Sequence, residues 1–244
     1  MFRPACAGSA DRAGVRLSVS SQQSLATPRA RWLSALELLI GSAIVIGHNV
    51  LRVVPNEVPI LVVLAIVSLR LRSGRWDWTS LGFRRPASWR TLVLIAVAAA
   101  ALRLLLGAFV IDPVTSHFWP PAKAPTGADE VTGNLRLALT YLPIVWGFAA
   151  FGEEIGYRGY LLNRAADCGG RTSYAYWGAV IVTAVLFGYG HYYKGPAGIL
   201  DSGIAGLILG GAYLISGRNL WTTVLTHGLI DTFSLTLLYL GWDT

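Results

Sequence analysis

The chain has 244 residues, of which 54% are hydrophobic and only 14% charged, with a mean hydropathy of +0.52, whereas an ordinary soluble domain carries about 25% charged residues. Such a composition describes an integral membrane protein, with room at about 20 residues per span for about six to eight spans and for no second soluble domain within these residues. The net charge of +7, from 20 basic and 13 acidic residues, lies in short segments beside apolar runs; it reads as topology determination, and nucleic-acid binding is excluded.

Residues 1–31 carry Arg3, Arg12, Arg16, Arg29 and Arg31 and no apolar run of signal-peptide length. They are expected to form a disordered basic cytoplasmic tail, an organellar transit peptide being the alternative. Apolar runs then predict about seven spans, at 32–54, 58–71, 89–111, 135–158 or a little beyond, 174–190, 200–216 and 220–240. The second run follows the first closely through Pro55 and Pro59, so it reads as a tilted span or a re-entrant piece. The fold class expected is all-α, a polytopic transmembrane helical bundle, with N-terminal helices and loops over 32–134 and a four-helix core over 135–244.

Basic residues sort by side. With a cytoplasmic N-terminus, the inner segments hold the five tail arginines, Arg70, Arg72, Arg75, Arg84, Arg85, Arg90, Arg158, Arg164, Arg171 and Arg218. The outer segments hold Arg52, Lys123, Arg136 and Lys194, a split of 15 to 4, which under the positive-inside rule sets the orientation. It places a Pro-rich loop over 112–134 and the terminal Asp243 outside, and a bacterial plasma membrane is the expected location. Cys6 and Cys168 are the two cysteines, one in the tail and one in a predicted turn, without zinc-finger spacing.

Three polar patterns fall on predicted spans, where ionisable side chains cost about 2.5–3.5 kcal/mol each and usually face a protein interior or a water-filled cavity. The first is Glu153-Glu154-Ile155-Gly156-Tyr157-Arg158, with Glu154 and Arg158 one helical turn apart and able to pair. The second is Phe187-Gly188-Tyr189-Gly190-His191, and the third is His227-Gly228-Leu229-Ile230-Asp231, with an imidazole and a carboxylate again one turn apart. A carboxylate and an imidazole converging on one water can take its proton and direct it at a carbonyl carbon. Glu153, His191, His227 and Asp231 are also an ordinary ligand set for a divalent metal such as zinc, which would activate the water instead. Neither version is favoured by spacing alone. A small transporter or proton relay also uses intramembrane acids and histidines, but no inverted repeat accompanies them here.

Glu-Glu-x3-Arg, then Phe-x3-His, then His-x3-Asp, in this order on separate spans, resembles the CPBP family of intramembrane proteases, which includes the CAAX prenyl proteases and bacteriocin-processing or self-immunity proteins. The run Gly206-Leu-Ile-Leu-Gly210, Ser216-Gly-Arg-Asn-Leu-Trp221, His227 and the loop Leu81-Gly-Phe-Arg-Arg-Pro86 are similar to the family's connecting segments. The resemblance covers 141–235 and implies an intramembrane endopeptidase acting on a membrane-associated protein or peptide. It implies that Glu153 and His191 activate the water, that His227 and Asp231 complete the site, and that Glu154 with Arg158 supports it as an ion pair. Glu153 is thus expected to sit with a histidine from each of two other helices. Asp231 stands where the prenyl proteases typically have Asn; a carboxylate only accepts hydrogen bonds, which weighs against that subgroup. A non-proteolytic scaffold or self-immunity protein of the same fold is the alternative class.

Counting along straight helices from their cytoplasmic ends, Glu153 lies at about 22 Å, His191 at about 31 Å and His227 at about 12 Å. A shared site therefore requires tilt, kinks at Gly188 and Gly190, or a late start of the fifth helix. Elsewhere, His48 and Asn49 read as interfacial, Arg103 as snorkelling or paired with a core carboxylate, Asp201 as a first-turn acid, and Trp32, Trp76, Trp78, Trp89 and Trp221 as an aromatic belt.

Overall fold

In lipid each backbone N–H and C=O must be satisfied within the protein, so apolar runs of this length resolve into helices. The computed structural model describes residues 28–53, 77–120 and 128–242, with helical positions 62, 65, 68, 69 and 72 between the first two stretches. The expectations for residues 1–27, for most of the run at 58–71, for 121–127 and for Asp243 lie outside the described residues. Among the described residues there is no strand, and six helices are long and apolar enough to cross a membrane. The protein is an all-α polytopic bundle.

In chain order the helices are α1 (Pro28–Asn49), the short α2 (Trp78–Leu81), α3 (Trp89–Phe118), α4 (Leu135–Cys168), α5 (Ser173–Gly190), α6 (Gly195–Ile215) and α7 (Leu220–Leu240). Polar residues at the loop-to-helix junctions start them: Asp77, Ser88, Asn134, Thr172 and Asn219 each accept a hydrogen bond from a backbone N–H of the first turn. The Thr79 hydroxyl and the Ser80 N–H hold the Asp77 carboxyl below its ordinary range.

Several boundaries differ from those expected. Helix α1 begins inside the basic tail, at Pro28, a residue whose fixed φ suits a first helical position. Helix α3 continues past Ile111 into the segment expected to be loop: a π-helical turn at Gly107–Ile111 leads into Asp112–Phe118. Pro113 has no N–H to give, and the wider turn just before it absorbs that loss without ending the helix. Helix α6 starts at Gly195, with Pro196 in its first turn, so Asp201 lies in its second turn. Cys168 is the last residue of α4 rather than part of a turn.

One end of the bundle is held by a set of arginine-bearing segments. The Leu220 N–H donates to Gly82 O (2.8 Å) and the Asn219 amide to Arg84 O (3.0 Å). The Arg31 guanidinium lies against Gly170. Arg171 and Arg218 both have positive φ (57° and 63°), each directly after a glycine, and their N–H groups reach back to Ala166 O (2.9 Å) and Tyr213 O (2.7 Å), closing helices α4 and α6. Their side chains bond Asp167 and Tyr176; burial opposes the Arg171 charge, but Asp167 holds its guanidinium above the ordinary value. At the opposite end, the Gly133 N–H and the Thr132 hydroxyl bond the carbonyls of Tyr239 (2.9 Å) and Leu238 (3.1 Å).

Helices α5 and α6 meet through glycines. A Cβ at Gly188 would sit 2.6 Å from Ile199 O, one at Gly206 2.9 Å from Ala184 Cα, and one at Gly210 2.7 Å from a Val180 methyl, the small-residue contact expected between membrane helices. Helix α5 stays α-helical through Gly188 to Gly190, so these glycines serve close approach and not a kink. Gly188→Ala is expected to destabilise the protein by about 1–3 kcal/mol through overpacking. A lower thermal midpoint in detergent checks this; an unchanged midpoint would mean that the helices part without cost.

Candidate active site

The polar centre is a chain of hydrogen bonds linking α4, α6 and α7. Glu154, with 0% of its surface exposed, accepts on Oε1 from Arg158 Nη1 (2.7 Å) and from His227 Nδ1 (2.9 Å). Arg158, likewise 0% exposed, donates its other terminal nitrogen to Gly206 O (3.1 Å). His227 Nε2 faces Asp231 Oδ2 at 3.4 Å. Each nitrogen of His227 is thus turned to a carboxylate, which fixes the plane of the ring.

Around this chain, four side chains pack on the Phe187 ring. The rings of His191 and His227 lie 4.9 and 6.0 Å from it, that of Tyr157 4.9 Å, and the Arg158 guanidinium 4.7 Å above its face. His191 caps α5, and its Nδ1 is 2.9 Å from Phe187 O. Because a carbonyl only accepts, that nitrogen carries the proton and the neutral ring keeps its lone pair on Nε2. Glu153 is half-buried. Its Oε2 is buried with no hydrogen-bond partner among the described residues, within electrostatic range of His227, Asp231, Glu154 and Arg158. Glu154, Arg158 and His227 are buried, whereas Glu153, His191 and Asp231 are half-buried.

The depth mismatch expected from straight helices is absorbed locally. Tyr176, near the start of α5, bonds Arg218 just ahead of α7, so the two helices begin at similar levels. From there Phe187 is about 16 Å along α5, and His227 about 10 Å along α7 from Leu220; the two rings span the difference. The His191 ring folds back one turn to Phe187 O, and the π-helical turns Val145–Glu153 and Ile155–Leu161, which follow Pro143 in α4, shorten the rise on either side of Glu154.

Three readings change. The carboxylate that meets a histidine at hydrogen-bond distance is Glu154, not Glu153, so the Glu154–Arg158 pair is also the anchor of His227. Arg103 pairs with Asp201 of α6 (2.5 Å), so Asp201 is an intramembrane ion-pair partner and not a first-turn acid. Among the described residues no group of three or more His, Cys, Asp and Glu is arranged to hold a metal ion. The donors Glu153, His191, His227 and Asp231 as they stand do not fit a resident zinc.

Phe187, the first residue of the second motif, is the ring on which the site packs, while Tyr157 and Trp146 acquire site positions that sequence spacing left without a role. The Trp146 ring lies where a Cβ on Gly228 would be 2.5 Å away, and its indole N–H bonds Thr232 (3.0 Å), fixing α7 beside α4. The signal for Tyr157 was available: it stands four residues after Glu153, the spacing that joins Glu154 to Arg158.

Comparison with known families covers the same ground. Residues 135–233 match the family model described as type II CAAX prenyl endopeptidase Rce1-like, a segment that holds all three motifs. Searches of the curated proteins and of the solved structures return no match. Residues 135–233 of this multi-pass membrane protein are an Rce1-like domain, and that domain belongs to the CPBP/CAAX protease family.

Proposed function

We propose that this CAAX-type intramembrane protease domain is an active endopeptidase that hydrolyses a peptide bond of a membrane-associated substrate by direct attack of water, with Glu153 as the base. The observation that carries the reading is the buried Arg158–Glu154–His227 hydrogen-bond chain, with Asp231 facing its outer end, a half-buried Glu153 next to Glu154, and a His191 whose Nδ1 is bonded to Phe187 O. Building several ionisable groups into one lipid-depth pocket is costly unless they act together.

In this mechanism the Glu153 carboxylate takes one proton from the water while His191 Nε2 accepts a hydrogen bond from it and fixes its direction. The water oxygen bonds the substrate carbonyl carbon, and the carbonyl π pair moves onto its oxygen. When the intermediate collapses, the C–N bond breaks and the proton on Glu153 passes to the leaving amine. His227, held between Glu154 and Asp231, keeps this part of the site rigid. The arginine-rich end of the bundle faces the cytoplasm in this reading.

The test is cleavage by protein purified in detergent, followed by mass spectrometry, on a farnesylated Cys-aliphatic-aliphatic-X peptide and on an unmodified apolar peptide. Internal cleavage of either supports the endopeptidase. A folded protein that cuts neither supports the non-proteolytic scaffold of the same fold. Because the donor set does not fit a resident metal, a strong chelator is expected to leave the rate unchanged; loss of activity restored by added zinc would replace the water-only mechanism with a metal-assisted one.

A further inference from the structure

Hydrolysis by water attack places a full negative charge on the former carbonyl oxygen, and preorganised N–H or O–H donors aimed at that position usually supply the largest single share of catalysis. The groups assigned above leave this task unfilled. As carboxylates, Glu153 and Asp231 only accept. His227 has both nitrogens turned to Glu154 and Asp231. Arg158 gives its terminal nitrogens to Glu154 and Gly206 O; its Nε has no partner among the described residues but belongs to a side chain with 0% of its surface exposed, out of reach of a substrate, and His191 gives its Nδ1 proton to Phe187 O.

Tyr157 offers an uncommitted O–H donor beside these groups. It stands one turn beyond Glu153 on the π-helical part of α4, so the two side chains emerge on the same side. Its ring meets Phe187 edge-on, with centroids 4.9 Å apart at 83°, which holds the phenol in place. Its hydroxyl oxygen lies where a Cβ on Gly190 would be 2.7 Å away, so the absence of a side chain immediately before His191 is what admits it to the pocket. The hydroxyl is committed to no hydrogen bond among the described residues. Tyr193 also lies within electrostatic range of Glu153 and Asp231, but it is 45% exposed on the short turn Tyr192–Lys194, with its ring against the His191 ring at a longer 6.1 Å.

We propose that Tyr157 donates its phenolic O–H in a hydrogen bond to the oxyanion of the tetrahedral intermediate, beside the water activated by Glu153 and His191. No proton is transferred: the phenol keeps its hydrogen, the bond strengthens as the carbonyl oxygen gains charge, and it weakens again when the C–N bond breaks. This assignment rests on the proteolytic reading of the site.

Tyr157→Phe keeps the ring on Phe187 and removes only the oxygen, so the fold is retained. With the peptide that the wild type cuts, Tyr157→Phe is expected to lower kcat by about 100-fold or more with KM unchanged, and to weaken binding of a phosphinic-acid analogue of that peptide by a similar factor. Tyr193→Phe is expected to leave both unchanged. A Tyr157→Phe protein that keeps its kcat, or that raises KM alone, overturns the assignment while the protease reading stands, as does a loss confined to Tyr193→Phe. A wild type that cuts no peptide removes the protease reading and this assignment with it.

Discussion

Glu153→Gln is expected to lower the cleavage rate by about 10²- to 10⁴-fold, the range for loss of a positioned general base, while leaving the protein as stable as the wild type or more so. The two halves of this result have one cause. Glu153 Oε2 is buried without a hydrogen-bond partner among the described residues, beside the carboxylates Glu154 and Asp231. An uncompensated buried carboxylate costs stability, and an amide of the same shape removes that cost together with the base. Such a position, poor for folding and suited to proton transfer, is where stability and activity are expected to trade against each other. The checks are kcat on the peptide that the wild type cuts and the thermal midpoint in the same detergent. A Gln variant that cleaves normally would remove Glu153 from the mechanism; one that unfolds would make it a structural residue.

Arg158→Met is expected to have the opposite signature. Glu154 then keeps a buried charge with His227 as its remaining partner, and Gly206 O loses its donor. Breaking one side of a buried ion pair costs about 3–5 kcal/mol, whereas replacing both members by apolar residues of similar volume is often neutral. The single variant is therefore expected to fold poorly in detergent, and the double variant Arg158→Met with Glu154→Leu to recover much of the lost thermal midpoint. The double variant is still expected to be slow, because His227 has lost the carboxylate that fixes its Nδ1. Full activity in the double variant would show that the Glu154–His227 bond does not matter to the chemistry.

Sequence spacing made much of this legible where the interaction is local. Glu154–Arg158 and His227–Asp231 pair one turn apart along single helices, and residues four apart share a face whatever the rest of the chain does. The sorting of arginines to one end was equally readable, since charge in loops is a property of each loop by itself. What spacing could not show was which face meets which. The Glu154–His227 bond joins residues 73 positions apart and depends on π-helical turns after Pro143, which widen α4 without any residue code of their own. Arg103 was visible as a charge within a span and Asp201 only as an acid at a helix start; they lie 98 positions apart, and only packing of α3 on α6 makes them partners. Gly188 and Gly190 read from sequence as kinks, and what makes them contact points lies in the neighbouring helices: the Ile199 carbonyl and the Tyr157 hydroxyl occupy the space that side chains there would need.

The proposed direct attack of a water activated by Glu153 and His191 is tested by single-turnover cleavage in ¹⁸O-labelled water containing hydroxylamine. The expected product is a new C-terminus carrying one ¹⁸O and no hydroxamate, because no acyl-enzyme forms for the amine to intercept. A hydroxamate product would contradict it by revealing a covalent intermediate.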